Sequence, residues 1–271
     1  MTNKTKAPAV LAQKFGKPLI TTQTLRQIYT TLLECRMLAQ HAGVWIERSI
    51  TGLAAVAAVL RAEDMAAPAS ESLTTLYALG APLEVLASTS VDKAAWKGIL
   101  PPGPSSAHLL LATGAAAALQ RKRPGNIVAA FVTGSRIHRE ALHYSGQNKL
   151  PILYVCHARR SSRELADLDF PVIPVDEDDA VAIYRVAFES IARARSGGGP
   201  TVIDCQPYPG RAEDAVLKME RYLTGRSLFR EEWKQQVASR FAERLEAMER
   251  ESHIASHGGS SPRRKKNKAG R

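Results

Sequence analysis

Three arginines are the side chains here with the most definite chemistry to offer. Arg136 follows the apolar run 127–132 (IVAAFV), and Arg159 and Arg160 follow a second such run, 151–156 (PILYVC). Continuous apolar runs of this length suit strands of a parallel sheet, buried on both faces. The segments Val132-Thr133-Gly134-Ser135 and Cys156-His157-Ala158-Arg159-Arg160 then fall at the carboxyl edge of that sheet, where open α/β sheets bind ligands. Thr133, Gly134, Ser135, Arg136, Arg159 and Arg160 form the candidate ligand-holding set. Guanidinium groups gathered there could grip a phosphate-bearing ligand directly, because arginine presents a planar fork of donors to phosphate oxygens. The plainer alternative is that both strand ends are loops that hold nothing.

Other residues invite chemical readings. His138, His143 and His157 lie near the strand ends, and a zinc site would need a third and usually a fourth protein ligand that the sequence does not supply. They read as surface histidines. Ser105, Ser106 and His108 could suggest a nucleophile and its base, but no G-x-S-x-G elbow or orienting acid accompanies them, so they read as a loop and a helix start. The run Asp176-Glu177-Asp178-Asp179 looks like a metal cluster, yet Asp178 or Asp179 suits the cap of a following helix. Cys35, Cys156 and Cys205 are far apart, without a CxxC pair, and are read as buried thiols.

The net charge of +11 over 271 residues suggests a nucleic-acid partner until it is located. Lys4, Lys6, Lys14, Lys17 and Arg26 occupy residues 1–33 without an acid. Arg263, Arg264, Lys265, Lys266, Lys268 and Arg271 occupy residues 252–271, again without one. The body between is neutral, so a nucleic-acid role would rest on the basic tail alone. No stretch approaches the roughly 20 apolar residues of a membrane-spanning helix, and no membrane partner is expected. The start shows no secretory pattern, and a cytoplasmic location is expected.

The expected elements follow hydrophobic period. Helices are expected over 24–41, with Thr24 as N-cap, then over 53–61 and 73–86. Pro101, Pro102, Gly103 and Pro104 break the chain. The Ala-rich run 109–120 reads as a buried helix. Strand 127–132, helix 136–146, strand 151–156, a short strand 171–175 interrupted by Pro174, helix 179–195 and strand 201–205 follow in alternation. That alternation implies an α/β fold, a parallel sheet with helices on both faces. Charged helices over 213–223 and 230–250 close it. The expected organisation is a loose basic arm over 1–20, one domain over 21–251 and a disordered basic tail over 252–271.

Several stretches, in order, resemble the alpha subunit of the thiamine-diphosphate-dependent 2-oxo acid dehydrogenases, the pyruvate and branched-chain enzymes. In VDEDDAVAIYRVAFESIARARSGGGPTVIDC, Val175-Asp176, Asp179, Ala194-Arg195, Gly199-Pro200-Thr201 and Asp204 match that family, while Glu177 and Asp178 replace its Gly and Asn. REALHYSGQNKLPILYV (139–155), LLECRMLAQHAGVW (32–45), LAAVAAVLRAEDMAAP (53–68) and DAVLKMERYLTGRSLFREEW (214–233) resemble further family segments. Together they cover most of 24–233, with a deletion in the middle.

The resemblance implies a thiamine-diphosphate-binding fold and a hetero-oligomer with a dehydrogenase beta subunit. It also implies oxidative decarboxylation of a 2-oxo acid, with transfer to a lipoyl (disulfide) group on an acyltransferase. In the family a divalent metal holds the diphosphate through a Gly-Asp-Gly motif and an Asn pair at successive strand ends. Here Thr133 stands where the Asp belongs, and Ala158 and Arg159 where the Asn pair belongs. Mg²⁺ takes hard oxygen ligands, so it is not expected. No catalytic histidine carries over, because the family's His-Gly segment has no match before Trp96. Three readings stand side by side. One is an impaired dehydrogenase alpha chain. Another is a non-catalytic paralogue serving a beta subunit or binding a phosphorylated ligand through arginines. The third is a binding module acting through its basic ends.

Overall fold

The computed structural model describes residues 20–87, 98–101, 107–133, 138–157, 165, 167–208 and 214–257, with the side chains of 84, 87 and 251–257 excepted. Among the described residues the centre is a five-stranded sheet in the order β1-β2-β3-β5-β4, parallel throughout. β2 (Val128–Thr133), β3 (Ile152–His157) and β5 (Thr201–Gln206) lie where their apolar runs predict and are buried except at their last residue. A strand covered on both faces has no polar side to show, which is why the runs of β2 and β3 are continuous, while β5 buries Asp204.

Among the described residues β4 (Val172–Asp176) pairs only with β5, and so tolerates its proline. The Val202 amide donates to Pro171 O and the Glu177 amide to Gln206 O, so odd-numbered residues turn their polar groups toward β5. Pro174, an even-numbered residue, turns its missing N–H to the open edge, where no ladder bond is lost.

β1 (Met65–Ala67) is a strand that the sequence does not announce. Asp64, whose side chain is fully enclosed, creates it. Its carboxylate accepts the Arg61 amide (2.7 Å), the Ile127 amide (3.0 Å) and the Arg195 guanidinium (2.8 Å). Met65 N then donates to Ile127 O at 2.9 Å, and three residues enter the sheet.

The helices differ from expectation mainly at their ends. α1 (Thr22–His41) is capped three residues early, because the Thr21 hydroxyl accepts the Thr24 amide at 3.1 Å. α2 is Ile50–Ala57. The single helix expected over 73–86 is two, α3 (Leu73–Ala78) and α4 (Leu83–Ala87). Gly80, at φ +93°, and Pro82 make the turn between them. α5 (Ala107–Lys122), α6 (Arg139–Gln147), α7 (Ala180–Arg195), α8 (Ala215–Thr224) and α9 (Glu231–His257) complete the chain.

Alternate strand residues feed two cores. Phe131, Val155 and Ile203 pack under α1, α2, α7 and α8. Val132, Tyr154 and Val202 pack under α5 and α6. α9 is held by Phe241 and Leu245 against Leu38 and Leu83. α5 departs from its reading as a buried helix: Leu109, Ala112 and Ala116 are enclosed, but Leu110 and Leu111 are 50% and 43% exposed. The arm 1–19 and the tail from 258 lie outside the described residues.

Candidate functional site

The carboxyl edge of the sheet carries the residues that the strand ends deliver. Thr133 ends β2 and His157 ends β3, and the two are register partners. Asp176 ends β4 opposite Gln206 of β5. Gly134, Ser135, Arg136, Arg159 and Arg160 follow these ends in sequence but lie outside the described residues.

His157 is not the surface histidine its sequence context suggests. It points to the face of the sheet that α2 covers, and among the described residues neither ring nitrogen meets solvent or a hydrogen-bond partner. Its neighbour is Gly52, in the first turns of α2, where any added β-carbon would collide with Nε2. Burial lowers its pKa from the ordinary 6.5 to about 4, so the ring is neutral near pH 7. His108, in the first turn of α5, is also buried. Its Nε2 lies 3.0 Å from the Phe131 carbonyl, and its Nδ1 has no partner among the described residues. That carbonyl is available because β1 stops at Ala67, which pairs with Ala130. Of the remaining histidines, His138 Nδ1 lies 3.1 Å from Glu140 and His143 faces Asp167 at 3.9 Å, both partly exposed.

The acidic run at the end of β4 is committed internally. Asp176 is paired with Lys218, and Arg48 reaches Glu177 at 3.4 Å. Asp179, one of the two caps that the sequence allows, caps α7 by accepting the Ala182 amide at 2.9 Å. Burial, followed by the charge of Asp176, raises the pKa of Asp178. Among the described residues no group of three or more His, Cys, Asp or Glu side chains could hold a metal ion. The two adjacent strand ends offer a neutral hydroxyl and an enclosed imidazole. That pair does not suit a Mg²⁺-bound diphosphate, which needs hard, charged oxygens open to the ligand.

Beside this edge the chain presents apolar surface. Val44, Trp45 and Ile46 are 53%, 96% and 43% exposed in the turn leading into α2. The turn is anchored by Glu47, which accepts the hydroxyls of Ser70 (2.8 Å), Ser49 (3.2 Å) and Thr75 (3.3 Å). No helix among the described residues is long and apolar enough to cross a membrane.

An α/β chain with an all-parallel five-stranded sheet flanked by helices is consistent with a thiamine-diphosphate-binding fold. No family model matches the sequence. Among curated proteins it is 29% identical over 118 residues to the alpha subunit of the acetoin:2,6-dichlorophenolindophenol oxidoreductase of Bacillus subtilis, covering 36% of this chain and 35% of that protein. It is 25% identical over 174 residues to the alpha subunit of the pyruvate dehydrogenase E1 component of Staphylococcus epidermidis, covering 49% of this chain and 47% of that one. These are distant relatives, and the matches span about a third to a half of their lengths.

Proposed function

We propose that this chain is a divergent alpha-type subunit of the 2-oxo acid dehydrogenase kind. In this reading it works with a beta-type chain, and its metal–diphosphate site has been remodelled so that the family's decarboxylation is impaired. The single observation that carries the second half is the Thr133–His157 pair at the ends of β2 and β3. Thr133 brings a neutral hydroxyl where the family has an Asp, and the β3 end brings an enclosed imidazole just before Ala158 and Arg159, which stand in place of the Asn pair, so thiamine diphosphate binding through Mg²⁺ is left with poor protein ligands. The first half rests on the two distant alpha-subunit relatives and the parallel sheet.

A partner is further supported by α5, which has no charged residue between Ala107 and Gln120 and yet leaves Leu110 and Leu111 exposed. A helix that is apolar all round belongs in an interior. The exposed Val44-Trp45-Ile46 turn adds apolar surface beside the carboxyl edge. The working unit is residues 21–251, with lipoyl acyltransferase as a further partner of the assembly.

Co-expression with a beta subunit of a 2-oxo acid dehydrogenase tests both halves. A stable complex with little or no 2-oxo acid decarboxylation supports the reading. Failure to associate sinks the first half, and full activity sinks the second. Calorimetry with thiamine diphosphate adds a direct check: Mg²⁺-dependent binding comparable to that of an intact alpha–beta complex contradicts the remodelled site.

A further inference from the structure

Where α9 begins, the surface holds a cleft of about 550 Å³. Its walls are Arg26 of α1, Ser227 of the turn after α8, Arg230, and Glu232, Trp233 and Gln236 of α9. That volume lies within the usual range of small-molecule pockets and exceeds what a lone inorganic ion fills.

An aromatic cluster holds the walls in place. Tyr29 of α1 is fully enclosed, and the Trp233 and Phe229 rings pack on it with centroids 5.0 and 5.9 Å away. The turn is closed by the Ser227 amide donating to Thr224 O and the Leu228 amide donating to Leu223 O, both at 2.9 Å. Arg26 lies over Trp233, with its guanidinium carbon 5.4 Å from the ring centroid. Stacking fixes the guanidinium plane but leaves its charge and its in-plane N–H groups available. Among the described residues the side chains of Arg26 and Arg230 make no ion pair and no hydrogen bond. Glu220, the neighbouring acid of α8, is already shared by the Tyr29 hydroxyl at 2.9 Å and Lys234 at 3.0 Å.

Two guanidinium groups on one cleft repel each other until an anion lies between them. A phosphate monoester carries about two negative charges near pH 7 and three acceptor oxygens. It can meet both forks at once, with the Ser227 hydroxyl as a further donor. A carboxylate, with one charge and one plane, satisfies a single fork. Glu232 works against a bare anion, but with Gln236 it supplies acceptors that suit hydroxyl groups on the rest of a ligand. We propose that this cleft binds a small hydroxylated phosphomonoester. Its phosphate lies between Arg26 and Arg230, and its hydroxyl groups face Glu232 and Gln236. The proposal does not depend on the dehydrogenase reading.

Isothermal titration calorimetry of the full chain with glucose 6-phosphate, and with glucose and n-hexyl phosphate as one-ended analogues, decides it. Glucose 6-phosphate should bind, and each analogue should bind at least ~10-fold more weakly. Arg26→Gln and Arg230→Gln should each weaken glucose 6-phosphate at least ~10-fold, with a thermal melt confirming that each variant folds. The basic tail can attract any phosphate, and neither variant alters it, so binding that survives both substitutions belongs to the tail. The analogue series uses the unaltered protein and stands even if a variant folds poorly. The proposal is overturned if glucose 6-phosphate fails to bind, if either analogue comes within ~10-fold of it, or if a folded variant does so.

Discussion

Gly52 and His157 fit together as groove and ridge: the imidazole Nε2 lies against α2 at the one position where the helix lacks a β-carbon. The contact joins α2 to the carboxyl end of β3 beneath the candidate site. Replacing Gly52 by Ala in a helix would by itself favour folding by about 1 kcal/mol. Here the added methyl displaces the imidazole and presses on Val155. Gly52→Ala should therefore lower stability by about 1–3 kcal/mol, the usual range for overpacking. Urea unfolding of Gly52→Ala, His157→Ala and the double variant reads this as a coupling. Additive effects would show that the two residues do not share the space.

The same histidine makes stability depend on pH. Its folded-state pKa of about 4 lies below the ordinary 6.5. Between those values the unfolded chain binds the proton and the folded chain does not. Stability should therefore fall as pH drops from about 6.5 to 4, by about 3 kcal/mol in full. Above pH 6.5 the histidine contributes no slope. Chemical unfolding at a series of pH values should show a shallower dependence in His157→Asn. An unchanged slope in that variant would remove the buried neutral imidazole as its source.

Asp64 and Arg195 should be the most sensitive pair for folding. Arg195 reaches Asp64 from the last turn of α7 while Asp64 also holds two backbone amides. Arg195→Met leaves an enclosed carboxylate without its cation and should cost about 3–5 kcal/mol. Adding Asp64→Asn should recover part of that loss. Thermal or denaturant unfolding of the three variants checks it, and a loss below 1 kcal/mol for Arg195→Met would mean that backbone amides alone hold Asp64.

Leu111 offers a separation of folding from assembly. It is 43% exposed on α5, beside Gly114, whose missing β-carbon position is open. Leu111→Glu should change the stability of the isolated chain by no more than about 0.5 kcal/mol. It should abolish co-purification with a beta-type chain. Size-exclusion chromatography of the co-expressed pair reads the outcome, and an intact complex would place the interface elsewhere.

The sequence made β2 and β3 plain because each follows an apolar run without interruption, as suits a doubly covered strand, and β5 was legible from its Thr-Val-Ile start after the glycines 197–199. It also narrowed the cap of α7 to Asp178 or Asp179, of which the structure chose Asp179, since capping is local chemistry. It did not reveal β1: Met65-Ala66-Ala67 has no β-branched residue, and its place depends on Asp64 bonding to Ile127 and to Arg195, far along the chain. Nor did it reveal the Arg26–Trp233 stack, whose members come from α1 and α9. Its candidate arginines Arg136, Arg159 and Arg160 lie outside the described residues.

By itself, then, the chain's pattern of apolar runs, glycines and prolines determined the α/β class, the helix–strand alternation and the substituted strand ends, all of which are matters of neighbouring residues. Tertiary structure alone decided that β5 inserts between β3 and β4, that His157 turns inward against Gly52, and that α5 keeps an apolar side uncovered. Those outcomes depend on which surfaces meet across long sequence separations. Burial, pKa and exposure are properties of the meeting surfaces rather than of the residues that compose them.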